Sequence, residues 1–150
     1  MPTKKQWGNA TWYLFHTLAY KIKKDSHIND LLQQIYNICH NLPCNDCATH
    51  AASILKTVNI ENINTKEKLI KLMFEFHNLV NERTGKERFT MEQHDELYPR
   101  ANTRSIIENF IIIMKHNNYT EKGMLHSFKR KQCTNNFIKY INKHMIEYNP

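Results

Sequence analysis

The sequence predicts an all-α protein. Apolar residues recur at three- and four-residue steps in segment after segment, and no useful length of chain alternates apolar with polar. The 150 residues and 41% hydrophobic content suit one globular domain. A chain of this size buries roughly 68–70% of its unfolded surface, so it needs no disulfides to fold. Three glycines and four prolines exclude a low-complexity or collagen-like chain.

Taken in order, Trp12, Phe15, His16 and Ala19 follow i, i+3, i+4, i+7 and predict a first helix over about residues 9–24. Leu31, Leu32, Ile35, Ile38 and Cys39 predict a second over about 29–41. Pro43 is expected in the first turn of a third, where its missing N–H costs nothing. That helix runs to about Lys56, with Ala48, Ala51, Ala52 and Leu55 on its apolar side. Asn64 and Glu67 form a capping-box-like start for a fourth. Leu69, Leu72, Met73, Phe76, Leu79 and Val80 carry it to about Arg83, and Gly85 ends it. A short fifth helix is expected from Met91 to Tyr98, stopped by Pro99. Thr103 is expected to cap a sixth, with Ile106, Ile107, Phe110, Ile111 and Met114 facing inward. Asn117-Asn118 breaks it, and Asn117 to Lys122 is the best candidate for a hinge. A last helical region, about 121–147, carries Phe128, Phe137, Tyr140, Ile141 and Met145, with Tyr148 beyond. The expected organisation is a core over 1–101 and a helical C-terminal extension over 102–150 that packs on the core or on a partner.

The net charge is +7 and the pI about 9.2. The 21 Lys and Arg lie singly or in pairs, apart from Lys129-Arg130-Lys131. Without a basic stripe, nucleic-acid binding is not expected as the main role. The longest apolar run, Phe110 to Met114, has five residues, far short of the ~18 of a membrane span, so no membrane association is expected. Met1 to Gln6 lack the apolar stretch of a signal peptide. A cytoplasmic location is therefore expected, where a C-x-x-C is usually catalytic or metal-binding.

Cys44-Asn45-Asp46-Cys47 is the sharpest motif. At a helix start, partial positive charge and unpaired N–H groups favour thiolate. Disulfide exchange needs one exposed sulfur and one inner leaving sulfur; Cys44 is expected to exchange and Cys47 to lie inside. The rival reading is a zinc-binding interaction module using Cys39, Cys44, Cys47 and His50. A third is that all four cysteines, Cys133 included, are buried hydrophobes. On the flanks, Trp12 and His16 share one helical face, as do His77 and Asn81, with Asn78 beside them. His77, Asn78 and Asn81 sit on or beside the strongest apolar stripe. Buried polar groups without partners cost about 1–3 kcal/mol each, so something polar is expected among them. A flavin suits, and Lys86 could meet its phosphate charge.

Three segments together resemble the Erv/ALR family of FAD-linked sulfhydryl oxidases: Trp7-Gly8-Asn9-Ala10-Thr11-Trp12-Tyr13-Leu14-Phe15-His16-Thr17, then Leu42-Pro43-Cys44-Asn45-Asp46-Cys47, then His77-Asn78-Leu79-Val80-Asn81 with Gly85-Lys86. Leu42-Pro43 and Cys47-Ala48-Thr49-His50-Ala51 look most like the oxidases of large cytoplasmic DNA viruses. The resemblance covers about residues 6–100 and implies a four-helix bundle with a short fifth helix, holding FAD non-covalently, in a homodimer. It implies that electrons from protein thiols pass through Cys44 and Cys47 to FAD and then to O2, giving H2O2. Cys47 would sit against the flavin ring and Cys44 would meet the substrate. Gly8, Trp12, His16, His77, Asn78, Asn81, Lys86 and Tyr98 fall at the family's FAD-contacting positions. The chain departs from the family pattern at Asn9, where many members have Arg. It also lacks the staple disulfide around the His-Asn and Gly-Lys motifs, and a shuttle dithiol. The expected substrate is therefore a small thioredoxin-like dithiol protein, met directly in the host cytoplasm or the virion if the chain is viral.

Overall fold

The structure, a computed structural model, describes residues 2–116 and 124–150. Among them the chain forms α1 (Lys4–Lys21), α2 (Ile28–His40), α3 (Asn45–Lys56), α4 (Lys66–Arg83), α5 (Met91–Leu97), α6 (Thr103–His116) and α7 (Met124–His144), with no strand. The all-α expectation holds. The expected hinge at 117–122 lies outside the described residues.

Capping decides where the helices begin. α1 starts five residues earlier than its apolar pattern, because Thr3 closes a capping box: its hydroxyl accepts from Gln6 N at 3.3 Å, and Gln6 Oε1 accepts from Thr3 N at 2.8 Å. Pro43 is outside α3 rather than in its first turn. Cys44 is the N-cap, in an extended conformation, and its Sγ accepts from Cys47 N at 3.3 Å. At α4 the cap is Thr65, accepting from Lys68 N at 3.2 Å, and not Asn64. α4 ends as expected at Gly85, whose φ of 73° lies in the left-handed region that an L side chain avoids. α5 has a second capping box, Thr90 with Gln93. α5 ends at Leu97, just ahead of Pro99 as expected, and Tyr98–Arg100 follow as one 3-10 turn, which tolerates proline early.

The cap of α6 is also displaced. Asn102 Oδ1 accepts from Ser105 N at 2.9 Å, while Thr103 is the first helical residue and turns its hydroxyl to the chain end, donating to Asn149 O at 2.6 Å. Phe128, expected in the apolar side of the last helix, is 65% exposed.

α1 lies at the centre of the assembly. It packs against α4 and α6 and meets the 3-10 turn after α5. α2 packs against α3 and α7, and α6 against α7. Leu14, Phe15, Leu18, Leu31, Leu32, Ile35, Leu69 and Met73 form one buried cluster that also takes in Ile107 and Phe110 of α6 and Phe137 and Ile141 of α7. The C-terminal residues close this arrangement. Lys23 N donates to Glu147 O at 2.9 Å, Asn149 N to Lys21 O at 2.7 Å, and Ile22 pairs with Tyr148 in an isolated antiparallel bridge.

Candidate functional site

The dithiol sits where the chain turns from the α2–α3 connection into α3. Extended backbone at Cys44 followed by helix at Asn45 brings the two side chains onto one turn. Cys47 Sγ donates to Cys44 Sγ at 2.6 Å. Both residues are half-buried and both are free thiols. Sulfurs this close can form a disulfide with little backbone movement. Burial pushes the Cys47 thiol up, the hydrogen bond and charge of Cys44 add to that, and the Lys4 ammonium beside it opposes the shift. A helix-start position alone predicts a lowered thiol; desolvation outweighs it at Cys47. The exposed Lys4 escaped the sequence reading because α1 was expected to start later.

The second part is an aromatic cluster where α1, α4 and α5 meet. Trp12 stacks on His77 with centroids 4.1 Å apart and planes within 9°. His16 stacks on Tyr98 at 4.5 Å and meets His94 edge-on at 4.4 Å. His16 Nε2 and His77 Nδ1 share a hydrogen bond of 2.8 Å. Burial drives His16 well below its ordinary range, with His77 and His94 adding to the effect. Burial, then the neighbouring His94 and Lys86, hold His77 down to about 3. Burial also lowers His94, against the opposing charge of Asp95. The three rings are therefore neutral near pH 7, because a charge among them would be desolvated and would face like charges.

His77, Asn78 and Asn81 are all buried. Asn78 is satisfied within the chain: it donates to Phe89 O at 3.0 Å and accepts from Phe89 N at 2.9 Å. Asn81 uses its backbone oxygen to accept from Lys86 N at 2.8 Å, but its side-chain Nδ2 has no partner. His94, 1% exposed, has neither ring nitrogen partnered. A Cβ at Gly8 would meet nothing within 4 Å, so the chain's own packing does not require glycine there.

Trp12, His16, His77 and Tyr98 thus come together in one cluster, and Asn78, Asn81 and Lys86 lie on α4 and the turn after it. His94 and Phe89 were missed by the sequence reading; the one-turn spacing of His94 and Tyr98 is the single, weak sequence signal for His94. The rings pack directly on one another, and cavities lie elsewhere, between α2, α6 and α7 and beside the chain end. The zinc set does not assemble. Cys39 is buried in the core, and among the described residues the convergent group of three or more potential ligands is His16, His77 and His94.

Comparison with known proteins points to one family. The model of the Erv1 / Alr family matches residues 9–99. The chain is 30% identical over 96 residues to the mitochondrial FAD-linked sulfhydryl oxidase erv1 of Schizosaccharomyces pombe, covering 61% of this chain and 53% of that protein. Over 96 residues it is 32% identical to the FAD-linked sulfhydryl oxidase ERV1 of Arabidopsis thaliana, covering 62% and 50%. Over 105 residues it is 30% identical to an FAD-linked sulfhydryl oxidase of African swine fever virus, covering 67% and 86%. The match thus spans about half the length of the two cellular relatives and most of the viral one. No solved structure matches. With the family model covering most of the chain from α1 to the turn after α5, this protein belongs to the Erv1/Alr family.

Proposed function

We propose that this protein is an FAD-dependent thiol oxidase that introduces disulfides into a partner protein, with O2 as terminal acceptor and H2O2 as product. The observation that carries the reading is the Cys44–Cys47 pair, with its sulfurs 2.6 Å apart at the start of α3. The relatives' names supply the cofactor class, and the side chains where α1, α4 and α5 meet supply groups that such a cofactor needs. FAD needs flat surfaces, hydrogen-bond partners for its ring edges and a cation for its phosphates. Trp12, half-buried over the buried His16, His77 and Tyr98, offers the first, the unpartnered Asn81 Nδ2 a donor, the clear space over Gly8 room for approach, and Lys86 the cation.

The chain's own chemistry runs through two sulfurs. A partner thiolate attacks Cys44 Sγ of the Cys44–Cys47 disulfide, forming a mixed disulfide and releasing Cys47 as thiolate. A second partner thiol, losing its proton, attacks the partner sulfur of that mixed disulfide. The partner leaves oxidised and Cys44 leaves as thiolate. Lys4, beside Cys47, stabilises the negative charge that appears on the leaving sulfur. Bound FAD supplies a two-electron acceptor for the reduced pair, itself reoxidised by O2. Neutral His16 and His77 hold their mutual hydrogen bond and add no charge to the cluster. The partner is a thioredoxin-like dithiol protein, met in the host cytoplasm or the virion, and the enzyme works as a homodimer.

Purified protein is expected to be yellow, with the visible absorption of oxidised flavin, and to release peroxide when given dithiothreitol and air. Cys47→Ser should reduce turnover by at least about a thousandfold, since no sulfur is left to return the pair to disulfide. Cys44→Ser should abolish oxidation of the protein partner. A colourless protein that takes up no FAD, or full turnover by Cys47→Ser, would refute the reading.

A further inference from the structure

The cluster where α1, α4 and α5 meet has a property that thiol oxidation does not use. Three helices each contribute one buried imidazole, His16, His77 and His94, at 1%, 7% and 1% exposure. One ligand nitrogen from each lies within 4.8 Å of the others. A tetrahedral zinc ion with Zn–N of about 2.0–2.1 Å holds its nitrogens roughly 3.3 Å apart. The 2.8 Å between His16 Nε2 and His77 Nδ1 and the outer limit of 4.8 Å lie on either side of that spacing, so binding requires the rings to turn toward a common point. His94 is the independent pointer. It is fully enclosed, yet neither nitrogen has a partner, an unmet polar group that a bound ion would satisfy.

We infer that the cofactor-free protein binds one divalent transition-metal ion of the zinc class through His16, His77 and His94, and that metal and cofactor exclude one another. The first half stands on the cluster alone; the exclusion rests on the proposed role of His16 and His77 in holding FAD. Three imidazoles select zinc, cobalt, nickel or copper over magnesium or calcium, which prefer oxygen. On binding, whichever ring donates in the His16–His77 hydrogen bond moves its proton to its other nitrogen. This change of tautomer leaves the proton count unchanged and frees both facing lone pairs.

The test uses full-length protein stripped of flavin, its helical content checked by circular dichroism, and titrated with Co2+ in place of zinc. The expected result is saturable one-to-one binding with visible ligand-field absorption and no sulfur-to-metal charge-transfer band. Binding should survive in a Cys44→Ser, Cys47→Ser double variant. It should weaken at least about tenfold in His94→Ala and in His94→Phe, which keeps an aromatic ring but no ligand nitrogen. Added FAD should remove the cobalt spectrum as it binds. No saturable binding, a thiolate signature, or undiminished affinity in both His94 variants would overturn the site. A stable protein carrying metal and FAD together would overturn the exclusion. A protein that binds cobalt through histidine but never takes up FAD would leave the metal site standing and remove the oxidase reading.

Discussion

His77 gives the candidate site a measurable pH signature. Its folded-state pKa of about 3 lies below the roughly 6.5 of an exposed histidine. The unfolded chain therefore takes up the proton first as pH falls. The stability contribution is complete above about pH 6.5 and declines toward pH 3, with about 2 kcal/mol lost by about pH 5 from this residue alone. Urea unfolding between pH 7 and pH 5 should show the midpoint falling, and His77→Gln should flatten that slope. An unchanged slope in the variant would place the acid sensitivity elsewhere. At this scale the sequence was readable where chemistry coincided with periodicity: Cys44 and Cys47 by their spacing, His16 and His77 by their helical faces. His94 was hidden because residues 86–101 carry little periodic signal, and its burial comes from packing against His16 and Phe74 on other helices. The raised Cys47 thiol was equally hidden, since desolvation depends on neighbours that no local motif names.

The link between α4 and α5 depends on Asn78, which is fully buried and ties down Phe89 through both backbone groups. It works as a sheet neighbour would, pairing an amide edge with the N–H and C=O of one residue. That holds the turn after α4 against the bundle and presents α5, with His94 and Tyr98, to His16. Asn78→Ala would strand both Phe89 groups and leave a small void, costing about 2–4 kcal/mol. A lower midpoint in urea and faster hydrogen exchange at the Phe89 amide would report it, whereas unchanged exchange at Phe89 would count against the clamp. The helices were legible as elements because each carries an apolar stripe. Their starts were less so, since Thr3, Thr65 and Asn102 sit four to nine residues ahead of the first apolar position used. The Thr3-x-x-Gln6 and Thr90-x-x-Gln93 capping boxes were there to be read. The preference of Thr65 over Asn64 was not, because adjacent cap-forming residues compete and only the path of the chain decides between them.

Across the whole molecule, α6 and α7 are bound into the core that α1 organises. Phe110 and Phe137 meet edge to face, 5.4 Å apart and each 1% exposed, in the same cluster as Leu14 and Leu18. The chain end then returns to α1. Tyr148, 3% exposed, pairs with Ile22 across the bridge and shares a hydrogen bond with the Tyr140 hydroxyl. Stability of the first hundred residues is therefore expected to depend on the last fifty. Tyr148→Ala should cost about 3–5 kcal/mol by leaving an aromatic-sized void and an unpartnered Tyr140 hydroxyl. Both tryptophans, Trp7 and Trp12, lie on α1, so their fluorescence follows that helix while far-ultraviolet circular dichroism follows all of them. If the molecule is one cooperative unit, the two signals coincide in urea before and after the substitution, and both move by the same amount. A tryptophan transition that stays in place while dichroism moves would show two halves folding independently, with the C-terminal helices as an appendage rather than part of the core.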